Sequence, residues 1–180
     1  DVQGFATAVA PVQGRVSGMR ERQATVFHRL AWAALALTFG VVLLGAYVRL
    51  SDAGLGCPDW PGCYGRLFDI PDQARPIAEA NAAFPHRPVE PAKAWKEMIH
   101  RYSAGTLGAL ILALAALAWR KRRDPGQPVA LPLALLGLIG FQSLLGMWTV
   151  TWQLKPVVVV AHLLGGLTTL SMLAWLVLRD

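Results

Sequence analysis

Residues 97–119 read EMIHRYSAGTLGALILALAALAW, a charged start that runs into an uncharged, apolar stretch. The uncharged part, from Tyr102 to Trp119, is nearly long enough to cross the hydrocarbon of a bilayer as a helix, at about 1.5 Å per residue. Just before it, Glu97 and His100 are three residues apart and therefore share one face of the predicted helix. Because an ionisable residue at membrane depth is costly, this pair is a candidate functional site.

Three further segments are similarly apolar, at about residues 27–48, 129–149 and 157–178. The chain has 180 residues, of which 54% are hydrophobic and only 16% charged, and its mean hydropathy is +0.42. This composition excludes an ordinary soluble domain. The pattern predicts an all-α integral membrane protein, an antiparallel four-helix transmembrane bundle over residues 27–180 with one long outer loop at about residues 49–90.

The segments between the apolar stretches predict the rest of the organisation. Residues 1–26 contain no apolar run typical of a secretory signal and are expected to form a short, partly ordered cytoplasmic tail. The outer loop is rich in glycine and proline, which predicts irregular structure. We expect the second spanning helix to begin near Pro91, since proline suits a first helical position.

The net charge of +6 follows the membrane topology rather than a nucleic-acid surface, and no nucleic-acid partner is expected. Basic residues cluster in the tail and in the turn at residues 120–123, whereas the turn at residues 151–156 carries one. The positive-inside rule therefore places both termini in the cytoplasm and the loop at residues 49–90 outside. Membrane lipid is the expected surrounding.

A second histidine, His162, lies six residues after Pro156, or roughly 9 Å along the fourth span. In an antiparallel bundle the second and fourth spans enter from the same side, so His100 and His162 are expected to face one cavity. Two neutral imidazoles suit a haem iron or another metal, although histidines hydrogen-bonded at the interface have the same spacing. Small residues follow one turn later: Ala104, Gly165 and Gly166.

Glu97 is the candidate catalytic residue, because a carboxylate partly removed from water can accept or donate a proton. The alternative is a solvated carboxylate paired with Lys93 or Arg101. Arg49 and Arg101 are candidates for binding ligand carboxylates such as haem propionates, or for reaching out to lipid headgroups.

Gln142 and the two cysteines complete the set of candidates. Gln142 either lines the cavity or hydrogen-bonds a neighbouring helix. Cys57 and Cys63 lie in the outer loop, where a disulfide is expected. That pair is either structural, capping the cavity, or a redox-active dithiol, and its spacing does not match a zinc ribbon.

Three motifs resemble the haem A synthase family. The stretch GAYVRLSDAGLGCPDWPGCYG, residues 45–65, is similar to that family's first outer loop. The stretch EMIHR, residues 97–101, resembles its Glu-x-x-His-Arg motif. Gln142 to Val150, followed by Pro156 and the stretch VAHL at residues 160–163, resembles its third and fourth helices. The similarity covers residues 27–178.

The resemblance implies an oxidoreductase that converts the C8 methyl of haem O to a formyl group, giving haem A for terminal oxidases. It implies haem-iron ligation by His100 and His162, an essential carboxylate at Glu97 and a disulfide between Cys57 and Cys63. Oxidation is expected in two steps, with oxygen from water. Haem O synthase and terminal oxidase assembly factors are the implied partners, in a bacterial inner membrane.

The resemblance extends to half of the family's usual eight spans. The other half of such enzymes holds haem b with its own histidine pair, which this sequence lacks. We therefore expect either a fragment or a half-size protein that forms a homodimer or higher oligomer, with haem b in the other half or in a partner subunit.

Two other functions fit the same residues. One is a non-catalytic haem-binding or oxidase-assembly membrane subunit, which would retain haem without turnover. The other is a quinone-linked disulfide oxidase, which four spans and outer cysteines also suit. Such an oxidase relays electrons between two dithiols, whereas this sequence has only two cysteines.

Overall fold

The apolar segments form long helices in the computed structural model, which describes the backbone of residues 2–179 and the side chains of residues 25–179. In chain order the helices are α1 (Val2–Leu50), α2 (Ala74–Ala83), α3 (Pro91–Arg120), α4 (Ala130–Thr151) and α5 (Pro156–Leu178). The predicted all-α class is confirmed, since no strand occurs among these residues. Nearly all side chains of the predicted tail at residues 1–26 lie outside the described residues.

Four helices are long and apolar enough to cross a membrane: the Thr25–Leu50 part of α1, and all of α3, α4 and α5. No more than 28% of the most apolar window in any of them is buried inside the protein. Most of their apolar surface therefore needs lipid around it, and the chain is a multi-pass membrane protein. As expected, α3 begins at a proline, and so does α5.

The four spanning helices form a ring. α1 packs on α3, α3 on α4, α4 on α5, and α5 on α1. In the described part of the chain the diagonal pairs, α1 with α4 and α3 with α5, have no close backbone approach. Space is therefore available along the axis of the ring wherever side chains do not fill it.

One half of this ring is filled by a hydrophobic core. It lies toward the later turns of α3 and α5 and the early turns of the spanning part of α1. We call it the closed half. Its buried residues are Ala31, Ala34, Leu107, Ile111, Leu114, Leu135, Leu173, Leu176 and Val177.

We call the opposite half of the ring the open half. The segment between α1 and α3 covers it. It was predicted as one irregular loop, but it contains the helix α2. Pro76 is one of the prolines on which the prediction of irregular structure rests. It is the third residue of α2, in the first turn, where proline is tolerated because backbone N–H groups there have no helical acceptor. A second core packs this segment onto α3: Cys57, Cys63, Tyr64, Ile70, Ala80, Ala94 and Met98.

The turn between the two cysteines is tightly attached. The predicted disulfide between Cys57 and Cys63 is present. Gly56 lies against the main chain of α3, where an added Cβ would be 2.6 Å from the carbonyl carbon of Lys93. Only glycine permits this close approach of loop and helix.

Asp59 and Tyr64 order the remainder of the turn. The Asp59 carboxylate accepts hydrogen bonds from the backbone N–H groups of Tyr64, at 2.6 Å, and Gly65, at 2.8 Å. The Tyr64 hydroxyl donates to the carbonyl oxygen of Pro88 at 3.1 Å. Burial raises the pKa of Tyr64 above its ordinary value. These contacts hold the cysteine turn at one position over the open half.

Candidate functional site

The open half of the ring contains a cavity of about 1030 Å³. All four spanning helices line it. The segment between α1 and α3, which we call the cysteine loop, contributes four residues to its outer end: Trp60, Pro61, Leu67 and Phe68. Its walls are mainly apolar. The volume is at the upper end of the range for organic ligand sites, about 300–1000 Å³, so the cavity suits a large, mainly apolar molecule.

His100 projects from α3 into this cavity. The Cε1 edge of its ring faces Gly45 of α1, where an added Cβ would be only 2.9 Å away. The main chain of Val41, one turn earlier on α1, is also next to the ring. The orientation of His100 is therefore defined by a helix other than its own.

His162 projects from α5 into the same cavity. Its Cε1 edge faces Gly146 of α4, where an added Cβ would be 3.5 Å away. The main chain of Gln142, one turn earlier on α4, is near this ring. The two histidines thus have matching surroundings, each ring lying against a glycine of a neighbouring helix.

As the sequence predicts, His100 and His162 line the same cavity, from the diagonal helices α3 and α5. The Nδ1 atoms of His100 and His162 are both buried without a hydrogen-bond partner among the described residues. An unpartnered polar atom inside a protein is costly. Two such atoms at one apolar cavity indicate a ligand that interacts with imidazole nitrogen.

Glu97 also lines the cavity, and it is buried, with 5% of its surface exposed. Its Oε2 accepts a hydrogen bond from the backbone N–H of Cys57 at 2.9 Å, and its Oε1 forms an ion pair with the Arg101 guanidinium. The pairing with Arg101 that the sequence suggested is present, although the carboxylate is not solvated. Lys93, the other suggested partner, pairs with Glu90 and Asp52.

Arg101 donates to the cysteine loop. Its Nη1 lies within hydrogen-bond distance of the carbonyl oxygens of Asp59, at 2.9 Å, and Gly62, and more distantly of Pro61 at 3.3 Å. Together, Glu97 and Arg101 attach the disulfide turn to α3 at the outer end of the cavity. We call this arrangement the loop clamp.

Arg49 lies at the mouth of the cavity near the end of α1, and its side chain is exposed. Its guanidinium group has no hydrogen bond or ion pair within the described residues 25–179. Its guanidinium group is therefore available to a ligand, whereas that of Arg101 is largely occupied by the loop.

Gln142 is buried and lines the cavity, so both of the roles suggested by the sequence apply. Its Nε2 donates to the carbonyl oxygen of His162 at 3.1 Å. Ala104 and Gly166 line the cavity as expected. Gly165 instead provides space for the Gln142 side chain, which an added Cβ would displace.

Sequence reasoning missed Gly45 and Gly146, the two glycines against the histidine rings. A signal was present, since glycine inside an apolar helix lowers helix stability relative to alanine and so suggests a close contact. The histidine that each glycine lies against is on another helix, so only the three-dimensional arrangement identifies the contact.

Comparison with known protein sequences identifies relatives of this chain. The profile of the COX15-CtaA family, described as cytochrome oxidase assembly protein, matches residues 28–180. A heme A synthase from Shewanella oneidensis is 51% identical over 154 residues, covering 84% of this chain and 46% of the relative. Heme A synthases from Caulobacter vibrioides and Alkalihalophilus pseudofirmus are 31% and 30% identical, covering 78% and 74% of this chain.

The chain spans less than half the length of these relatives, from 39% to 46%. The match to the family profile nevertheless covers nearly all of the present sequence, including both histidines and the cysteine loop. The chain therefore belongs to the COX15-CtaA family of cytochrome oxidase assembly proteins.

Proposed function

We propose that the chain binds a haem between His100 and His162 and forms the substrate-haem part of a haem A synthase. The observation that carries this proposal is the pair of half-buried imidazoles on diagonal helices, both facing one large apolar cavity and both with a buried, unpartnered Nδ1 atom. The names of the relatives, heme A synthase, support the same function.

The donor set favours haem over a bare metal ion. Two histidines are too few for a protein-bound zinc ion, and the described residues contain no group of three or more His, Cys, Asp or Glu side chains that could hold a metal. Haem carries nitrogen ligands of its own, so His100 and His162 would be sufficient to hold it. The apolar walls and the volume of the cavity suit a porphyrin.

The proposed reaction is the oxidation of the C8 methyl group of haem O to a formyl group, with oxygen from water. The bound haem supplies both the reacting methyl and the iron that the histidines hold. The residues of this chain would orient the porphyrin, exclude bulk water from most of its surface and place Glu97 at the outer end. Electrons must leave to an acceptor, for which we propose haem b in the other half of a longer chain or in a partner subunit.

For Glu97 we propose an essential electrostatic role beside the reacting haem. Its ion pair with Arg101 and its bond to Cys57 keep a carboxylate at the cavity wall, where it can stabilise positive charge or accept a proton from substrate. Arg49, exposed at the mouth, is the better candidate for a haem propionate. For Arg101 the loop contacts favour a positioning role.

We propose that both termini are cytoplasmic and that the cysteine loop lies on the outer side of a bacterial inner membrane. The charge distribution of the short turns supports this orientation. The disulfide agrees with an oxidising compartment. Both cysteines are almost completely buried, at 1% and 0% exposed, which argues against a disulfide oxidase that must exchange thiols with partners.

The test is to extract and identify the haem from the purified chain, expressed together with a haem O synthase. We expect haem O, haem A or a hydroxylated form between them, at close to one haem per chain. His100→Ala and His162→Ala should each lower this stoichiometry at least several-fold. His86→Ala, at an exposed position in the outer loop, is the matched control and should bind haem normally.

Unchanged haem stoichiometry in both cavity variants would overturn the ligand assignment. Haem b alone in the wild-type chain would favour the alternative function, a haem-carrying oxidase-assembly subunit without turnover. The description of the family as cytochrome oxidase assembly protein, and the partial coverage of the relatives, are the observations that keep this second function open.

A further inference from the structure

Gly45 and Gly146 contact the two imidazoles at the same ring atom. An added Cβ at Gly45 would lie 2.9 Å from Cε1 of His100, and one at Gly146 would lie 3.5 Å from Cε1 of His162. The first distance is shorter than real Cβ contacts, so the ring would have to move. The second is an ordinary van der Waals contact, so the His162 ring would need to move little.

Two other glycines in the same helices have no such contact. Gly40 of α1 and Gly137 of α4 have nothing within 4 Å of an added Cβ, and neither lines the cavity. Alanine is a better helix former than glycine at all four positions. The ring that lies against position 45 therefore accounts for the glycine there, whereas an alanine at position 146 would make only an ordinary contact with His162.

The neighbouring helices also contact the two histidines through polar groups. The main chain of Val41 is beside the His100 ring. On the other side, the Gln142 amide donates to the carbonyl oxygen of His162 at 3.1 Å, and a carbonyl can only accept, so the amide orientation is determined. The space for that amide exists because Gly165 has no side chain. α1 and α4 thus hold histidines that α3 and α5 carry.

We infer that Gly45 is a positioning residue that sets the ring orientation of His100, and that Gly146 constrains the His162 ring much less. This inference rests on the proposed function, because the ring orientation matters through the haem that these histidines would hold. Groups that orient a metal-binding histidine commonly change metal affinity and electronic properties when they are altered.

The test uses four single variants: Gly45→Ala, Gly146→Ala, and the controls Gly40→Ala and Gly137→Ala. Each introduces one methyl group and a better helix former, so none is expected to fail through loss of helix stability. The controls lie in the same two helices as the glycines they match. Differences between a variant and its control therefore report the contact with the ring.

The first measurement needs no haem. The chain contains four histidines, so the Cε1–H resonances of the detergent-solubilised protein, with labelled histidine, can be assigned by single replacements. Gly45→Ala should shift the resonance of His100 and leave that of His162 in place. Gly146→Ala should shift His162 by a smaller amount. Gly40→Ala and Gly137→Ala should shift neither.

The second measurement adds haem b to the purified chain and records haem affinity and the low-spin electron paramagnetic resonance spectrum. Gly45→Ala should lower affinity by about 10-fold or more, the usual effect of losing an orienting group, and change the low-spin g values. Gly146→Ala should have a smaller effect in the same direction. The two controls should match wild type.

The outcomes separate this inference from the proposed function. If the Cε1–H resonance of His100 does not shift in Gly45→Ala, the contact between position 45 and the ring is contradicted. A shifted resonance with wild-type haem affinity and g values would contradict the positioning role while leaving haem binding intact. A wild-type chain that takes up no haem would overturn the proposed function, and the positioning role with it, although the resonances would still report the contact.

Discussion

The two halves of the ring are built from the same four helices and differ in what fills their centre. In the closed half, leucine, isoleucine and alanine side chains meet along the axis and leave little space. In the open half a cavity of about 1030 Å³ remains, and its lining includes several glycines and threonines and two histidines beside the apolar side chains.

The difference indicates a division of labour within one bundle. Close packing in the closed half stabilises the fold. In the open half the packing is interrupted by the cavity, and unpartnered polar atoms beside the cavity lower the stability. The cysteine loop and the loop clamp compensate at the outer end by tying the helices together where the core is missing. Substitutions in the two halves should therefore have different consequences.

The largest effect is expected at the loop clamp. Arg101→Met removes the partner of a carboxylate that is almost fully buried, and breaking a buried ion pair costs about 3–5 kcal/mol. Thermal unfolding should occur at a lower temperature, and the loop at residues 51–90 should become sensitive to protease. The double variant Arg101→Met with Glu97→Gln removes the unpaired charge and should recover part of the loss. No recovery would show that the ion pair is not the cause.

A smaller effect is expected in the closed half. Leu114 is fully buried, and Leu114→Ala should lower stability by about 2 kcal/mol, the lower end of the usual range, because lipid already reduces the gain from burying apolar surface. Haem bound per folded chain should not change. Leu112→Ala is the control, since Leu112 is on the same helix and 56% exposed. Equal destabilisation by both would contradict the account of this core.

The smallest effect on stability is expected at Gln142, which lines the cavity and hydrogen-bonds a neighbouring helix. Gln142→Leu removes one hydrogen bond to the carbonyl oxygen of His162, and such bonds between membrane helices contribute about 0.6 kcal/mol. Stability should fall slightly in a chemical unfolding experiment, while haem affinity falls more clearly because His162 is less well held. A loss of stability as large as that of Leu114→Ala would place Gln142 in the core rather than at the site.

The helices of this bundle were predictable because hydropathy over a span is a local property. The uncharged stretch after Tyr102 and the prolines at residues 91 and 156 determine where spans begin. The depth of His162 followed from its distance to Pro156, and its meeting with His100 from the antiparallel order. In each case a short piece of chain carries the information.

The loop and the helix contacts were not predictable in the same way. α2 was missed because Pro76 was taken as a breaker, although its place in a first turn makes it compatible with a helix. Arg101 was a candidate for contact with a ligand carboxylate or a lipid headgroup, and the sequence alone did not reveal that the path of the loop brings the carbonyl of Gly62 to it. Gly45 was passed over since its partner is 55 residues away in sequence and on another helix.

The most direct test of the account is the change in melting temperature when haem is added in excess to the purified, detergent-solubilised chain. A ligand that binds only the folded state stabilises it. Haem should raise the melting temperature of the wild type and of Leu114→Ala by similar amounts, and should not raise that of the double variant His100→Ala with His162→Ala. An equal rise in the double variant would contradict the claim that the open half is a haem site held by these two histidines.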